Sequence, residues 1–270
     1  MRIITWNVNS VRVREERLLG VLERHGPDVV CLQELKTTDD AFPVDAVRAA
    51  GYEAATYGQK TYNGVAILAK RPPEDVRRGF NTGWDGDAEP EDEHARLISA
   101  VVHGVRIYSA YVPNGGEVGS EKYAYKLAWL DRVGKLLAAK HEPAEPLVFA
   151  GDLNITFDDQ DVAFPEKWEG SVHTHPEMRD ALQKLAGFGL VDVFRAHHPE
   201  GGVYSWWDYR QLGFPKGNGL RIDAILATEV LAKTSTAAEI DRDERKGKQP
   251  SDHAPVIVDF EWSDAGGTGG

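Results

Sequence analysis

The chain has 270 residues, 41% hydrophobic and 27% charged, with 27 Gly and 14 Pro. This is ordinary globular usage and excludes collagen-like, coiled-coil and low-complexity classes. Lys and Arg number 31 and Asp and Glu 43, a formal net charge of −12, which taken alone argues against a nucleic-acid partner.

That argument is weakened by distribution. Asp85, Asp87, Glu89, Glu91, Asp92 and Glu93 fall in one segment containing Gly and Pro, which reads as a solvated loop. The single cysteine, Cys31, lies in the apolar run Val29-Val30-Cys31-Leu32, so neither an internal disulfide nor a cysteine metal site can form. A reducing, cytoplasmic setting is expected. No run approaches the ~18 apolar residues of a membrane span, and Met1 to Trp6 meets polar Asn7 before any signal-type stretch can develop.

In chain order, a strand is expected over 3–6, a helix over 11–24, a strand over 29–33 and a short helix over 44–50. Strands follow over 52–57, 65–69, 97–102 and 105–112, with His103-Gly104 as a hairpin turn between the last two. Ser120 can cap a helix on which Tyr123, Leu127, Leu130, Val133 and Leu137 recur at three and four residues. A strand over 147–150 precedes a helix over 177–186, opened by Pro176, and strands over 190–194, 222–227 and 256–260 complete the pattern. So many strands with so few helices do not suit a barrel of alternating units; two packed sheets flanked by helices fit better. Residues 263–270 read as a disordered Gly-rich tail.

Strand after strand ends in a carboxylate, an amide or an imidazole. Asn7 follows the first strand and Glu34 the second; Tyr111 and Asn114 close another; Asp152 and Asn154 follow 147–150. Asp223 lies among Ile222, Ala224 and Ile225, where a carboxylate must be paired, and Ser251-Asp252-His253 precedes the last strand. Ligands of α/β sheets bind beyond strand ends, so these groups can converge. Glu34 with Asn7 and Asp252 offers hard oxygen ligands suited to Mg²⁺, with Mn²⁺ as a substitute. Asp223 can fix the tautomer and charge of His253, while Asp152 with Asn154 can deprotonate and orient a water. Cation, water and imidazole together suit phosphodiester hydrolysis. A Gly-x-Ser-x-Gly elbow and a phosphate-binding Gly-x-x-x-x-Gly-Lys-Ser/Thr loop are both missing.

Seven segments carry a family resemblance: 6–12 (Trp-Asn-Val-Asn-Ser-Val-Arg), 32–36 (Leu-Gln-Glu-Leu-Lys), 111–115 (Tyr-Val-Pro-Asn-Gly), 151–154 (Gly-Asp-Leu-Asn), 206–210 (Trp-Trp-Asp-Tyr-Arg), 220–223 (Leu-Arg-Ile-Asp) and 251–255 (Ser-Asp-His-Ala-Pro). In that order they resemble the signatures of exonuclease III-type apurinic/apyrimidinic endonucleases, within the endonuclease/exonuclease/phosphatase superfamily. The resemblance covers 1–262, which it implies to be one domain, a four-layer α/β sandwich. It implies Mg²⁺-dependent hydrolysis of the phosphodiester 5′ to abasic sites in duplex DNA, with 3′–5′ exonuclease and 3′-phosphatase activities, by a monomer acting on double-stranded DNA with abasic or 3′-blocked ends. It makes Glu34 the principal metal ligand with Asn7 and Asp252 nearby, and Asp152 the water-activating group oriented by Asn154. His253, held by Asp223, would face the phosphate, and Tyr111 would contact the phosphate or leaving group. Two departures are visible. Leu35 stands where threonine is common, and Thr156-Phe157 where Ala-Pro is usual.

Inositol and lipid phosphatases of the same fold share this core chemistry, and a catalytically silent DNA-binding module remains a further alternative. The segment Tyr204 to Arg210 is the separator: Trp206, with Leu220 and Ile222, can wall a pocket for a base-less sugar turned out of the duplex. Lys36, Arg242, Arg245, Lys246 and Lys248 are candidate backbone contacts, and Asn114 and Arg221 further DNA contacts.

Overall fold

A computed structural model describes residues 1–80 and 94–263. The acidic loop and all of the Gly-rich tail but Ser263 lie outside the described residues. The first half of the chain runs β1 (Arg2–Asn7), α1 (Glu15–His25), β2 (Val29–Gln33), α2 (Val44–Ala49), β3 (Glu53–Tyr57) and β4 (Val65–Ala69). It continues through β5 (Glu74–Arg78), β6 (Leu97–Val102), β7 (Val105–Tyr111) and α3 (Glu121–Lys140). The second half holds β8 (Leu147–Asp152), α4 (Pro176–Ala186), β9 (Leu190–Asp192), α5 (Val193–His197), β10 (Asp223–Thr228), α6 (Glu229–Ala232), β11 (Ser235–Ile240) and β12 (Val256–Phe260).

These strands form two six-stranded sheets, ordered β11-β12-β1-β2-β4-β3 and β5-β6-β7-β8-β10-β9. Each sheet has one parallel pair, β1 with β2 and β7 with β8, and is otherwise antiparallel. Alternation along a strand sends Ile3, Cys31, Ile67 and Val256 toward Ile107, Val148 and Ile225 of the facing sheet. Ile4, Val30 and Leu68 point the other way, onto Leu18, Val21 and Val47 of α1 and α2. On the second sheet Phe149 and Leu226 pack against Leu130, Val133, Met178 and Leu182 of α3 and α4. Both faces of each sheet are therefore covered, which is why the central strands read as continuous apolar runs rather than alternating ones. The result is the four-layer sandwich expected.

Local signals act as they should. The Ser120 hydroxyl accepts from the Tyr123 amide at 3.2 Å at the start of α3, and Gly26, at φ 53°, closes α1. His103 and Gly104, at φ 53° and 73°, make the turn that sets Val102 opposite Val105. The strand expected over 190–194 is shorter: it stops at Asp192, whose carboxylate accepts from the Arg195 amide at 3.2 Å and starts α5. Sequence patterning passed over β5 and β11, both edge strands with polar and partly exposed residues.

Candidate active site

The two parallel pairs deliver the polar strand ends to one place. In register Asn7 faces Gln33, with Glu34 next along the chain, and Tyr111 faces Asp152. Antiparallel β10 begins where β8 ends, so Asp223 lies opposite Asp152. The approach is very close at Gly151, where a Cβ atom would stand 1.9 Å from the carbonyl oxygen of Ala110. Only glycine fits before Asp152.

Asn7 sits between the two carboxylates. Its Nδ2 donates to Glu34 Oε1 at 2.8 Å and to Asp152 Oδ2 at 2.9 Å, while its Oδ1 accepts from the Asn9 amide at 3.0 Å. Asp152 Oδ1 accepts from the Asn154 amide at 2.9 Å. Across the site His253 Nδ1 lies 2.9 Å from Asp223 Oδ2, and its Nε2 lies 3.6 Å from Asp152 Oδ2. Ser205 Oγ donates to the same Asp223 oxygen at 2.6 Å. Glu34, Asp152 and His253 thus bring one ligand atom each within 4.8 Å of one another.

Electrostatics assign the charges. Burial disfavours a charged His253, but Asp223 and Asp152 outweigh it and raise the ring to about 10, so it is an imidazolium at neutral pH. Burial pushes the Asp152 carboxyl up to about 7, against the pull of His253. The donors that fit a hard divalent cation are the Glu34 and Asp152 carboxylates, already converging on one amide. Lys36 Nζ, 2.8 Å from Glu34 Oε2, supplies positive charge at the same place. Glu34 itself has φ 51°, an uncommon backbone conformation for its type, which turns the carboxylate back over the end of β2.

Next to Trp206, whose ring lies 6.4 Å from that of His253, opens a cavity of about 380 Å³ lined by Asn114, Trp168, Val172, His173 and Trp206 among others. The two indoles meet edge to face at 5.7 Å, and the His173 ring lies 5.8 Å from that of Trp206. Trp206 is set by its indole N–H, which donates to Asp252 Oδ2 at 3.0 Å.

The model of the "Endonuclease/Exonuclease/phosphatase family" matches residues 4–253. The chain belongs to this family. It is 35% identical over 272 residues to exodeoxyribonuclease III of Haemophilus influenzae, an alignment covering 96% of this chain and 100% of that protein. Among solved structures it resembles an AP endonuclease from Archaeoglobus fulgidus at 38% identity and TM-score 0.91, covering 97% and 99% of the two chains. It also resembles the 3′–5′ exonuclease NExo from Neisseria meningitidis at 40% identity and TM-score 0.90, covering 97% and 100%.

Within this family site the structure relocates several expected residues. Asp252 does not join the Glu34 cluster: Asn9 Nδ2 donates to its Oδ1 at 2.9 Å and Trp206 holds the other oxygen. Arg221 is 2% exposed, its guanidinium bound to Asp161 at 2.6 Å and Asp192 at 2.7 Å, so it is a core ion pair and cannot reach a DNA backbone. Arg245 is likewise buried, packed over the rings of Phe214 and Tyr209 and bound to the Ser251 carbonyl. Leu220 and Ile222 are buried with Val162 beneath Trp168 and Trp206, and so back the cavity wall without surfacing it. Lys246 and Lys248 are exposed, the former paired with Asp243. Asn114 is exposed, its Nδ2 3.4 Å from Asn154 Oδ1. Tyr111 bonds Glu34, and burial followed by the nearby Glu34 and Asp152 charges holds its phenol well above the usual value.

Sequence reasoning missed Trp168, His173, Ser205 and Lys126. Lys126 left a signal: it falls three residues after Tyr123 and four before Leu130, on the apolar face of α3. Trp168 and His173 lie in an irregular segment whose pattern announces nothing.

Proposed function

We propose that this chain is a Mg²⁺-dependent DNA repair nuclease that cleaves duplex DNA on the 5′ side of abasic sites and trims blocked 3′ ends, acting as a cytoplasmic monomer. The observation that carries this reading is one site holding an Asn7-bridged carboxylate pair, an Asp223-held imidazolium and, beside them, an aromatic-walled cavity. A bare deoxyribose can bury its apolar face against the wall formed by Trp168 and Trp206, whereas a sugar with its base attached must first be unstacked and unpaired. The relatives named above, an exodeoxyribonuclease, an AP endonuclease and a 3′–5′ exonuclease, support the same substrate class.

In this mechanism Asp152 accepts a proton from the attacking water through the oxygen that does not face the cation. Asn154, bonded through its amide to Asp152, keeps that carboxylate aimed. His253 presents Nε2 to the phosphate, and Asp223 stabilises its positive charge as negative charge builds on the non-bridging oxygens. Tyr111, protonated beside Glu34, can donate to the phosphate or the leaving oxygen. Glu34 and Asp152 would hold the Mg²⁺ or Mn²⁺ ion, which when bound polarises a phosphoryl oxygen. Half-buried Lys36 and exposed Lys246 and Lys248 supply the backbone contacts that Arg221 and Arg245 cannot.

Incubation with a duplex carrying one abasic site, a duplex with a 3′-phosphate, and an inositol phosphate, each with and without EDTA, tests the reading. Both DNA substrates should be processed only without chelator. Hydrolysis of the inositol phosphate at rates rivalling both would refute it.

A further inference from the structure

A buried lysine lies directly under the proposed catalytic loop and has no part in the chemistry just described. Lys126, on α3, is 0% exposed, yet among the described residues no carboxylate forms an ion pair with its amine. Its Nζ donates instead to two backbone carbonyls, Asn154 O at 2.7 Å and Asn114 O at 3.1 Å. These are the loops that leave β8 and β7, the two strands that end in Asp152 and Tyr111. From the other side His173 Nδ1 reaches the same Asn154 oxygen at 2.9 Å. Burial holds this imidazole down to about 4; the ring is neutral, and its Nδ1–H is the donor.

Asn154 needs such anchoring. Its backbone is left-handed, at φ 52°, its amide points at Asp152 Oδ1, and its Nδ2 donates to Val112 O at 3.0 Å. If the carbonyl were free, the peptide unit between residues 154 and 155 could turn about the ψ of Asn154 and loosen the left-handed residue whose own amide aims Asp152. An orphaned carbonyl at that depth would also lack hydrogen bonds altogether. The lysine stem is closely packed against the loop after β7: a Cβ on Gly115 would lie 2.8 Å from its Cδ.

We infer that Lys126 and His173 are positioning residues that clamp the Asn154 carbonyl from two sides and so hold Asp152 in its reactive orientation. The inference rests on the nuclease reading for its activity readout but not for its structural one. His173 also lines the cavity beside Trp206, but Lys126 touches neither the cavity nor the reacting atoms, so its half of the clamp acts on turnover and not on DNA affinity.

Lys126→Met keeps the length and apolar stem and removes the donors. It should melt close to the wild-type temperature, since relief of a buried amine that faces only carbonyls offsets the two lost hydrogen bonds, and bind abasic duplex within twofold of wild type. Its kcat should fall roughly 10- to 100-fold, the scale of a small misplacement of a reacting group. Amide hydrogen exchange over 151–157 should quicken while the sheets keep wild-type protection. Should this variant not melt cooperatively, Lys126→Gln is judged by the same measurements. A kcat within twofold of wild type overturns the clamp, as does a loss of turnover matched by equal losses of affinity and melting temperature. If the wild type cleaves no DNA substrate, the nuclease reading fails, and the clamp stands or falls on exchange over 151–157 alone.

Discussion

His173 should make the protein sensitive to acid in a measurable way. It is 9% exposed, and burial, with Lys126 nearby, lowers its affinity for a proton from the ordinary 6.5 to about 4. Between these values the unfolded chain takes up a proton that the folded protein refuses, so stability is fully present above 6.5 and drains away as pH falls toward 4. Integrating the two titrations gives a loss of about 2 kcal/mol between pH 7 and pH 5. Asp152 acts in the opposite sense over part of the same window, because its folded-state carboxyl is raised to about 7 and binds its proton more tightly than in the unfolded chain. The test is therefore a difference. Urea unfolding of wild type and His173→Asn at both pH values should show wild type losing about 2 kcal/mol more than the variant on acidification. Equal losses in the two proteins, to within about 0.5 kcal/mol, would show that the imidazole is not desolvated as its surroundings imply.

Other expectations follow from the same geometry. Chelation should abolish cleavage and added Mg²⁺ or Mn²⁺ restore it, with Glu34→Ala raising the cation concentration needed far more than it weakens DNA binding in a gel shift. Asp152→Asn and His253→Ala should each lose roughly 10² to 10⁴ in kcat while still shifting abasic duplex, and Asp223→Asn should resemble the histidine variant; wild-type turnover in any of the three removes its assigned role. Gly151→Ala drives a methyl group into the Ala110 carbonyl and should cost at least about 4 kcal/mol in chemical denaturation, or prevent folding. Trp206→Ala should slow abasic incision and narrow the rate difference between abasic and intact duplex, measured in one competition gel.

The sheet-on-sheet frame was legible because its strands are buried on both faces and carry long apolar runs, as at 29–33 and 147–150. Asn7, Glu34, Asp152, Asp223 and His253 were legible because each polar residue interrupts or ends such a run. Edge strands β5 and β11 were not, since exposure on one side dilutes the pattern. Arg221 and Arg245 misled for a specific reason: a cation beside a catalytic motif suggests phosphate, but partners 60 residues away along the chain, as Asp161 is from Arg221, are invisible until the chain folds. A separation of 46 residues likewise hid the Asp252 bond to Trp206.

Glu34 and His253 are carried by the first sheet, and Asp152 and Asp223 by the second. The seam between the sheets thus runs through the middle of the constellation. A sideways slip of one layer over the other would leave nearly every hydrogen bond within each sheet intact, yet would pull the imidazole off its carboxylate and part the pair bridged by Asn7. Turnover therefore reports on the docking of the two halves more sensitively than circular dichroism can, since that signal follows strands and helices and not their mutual alignment.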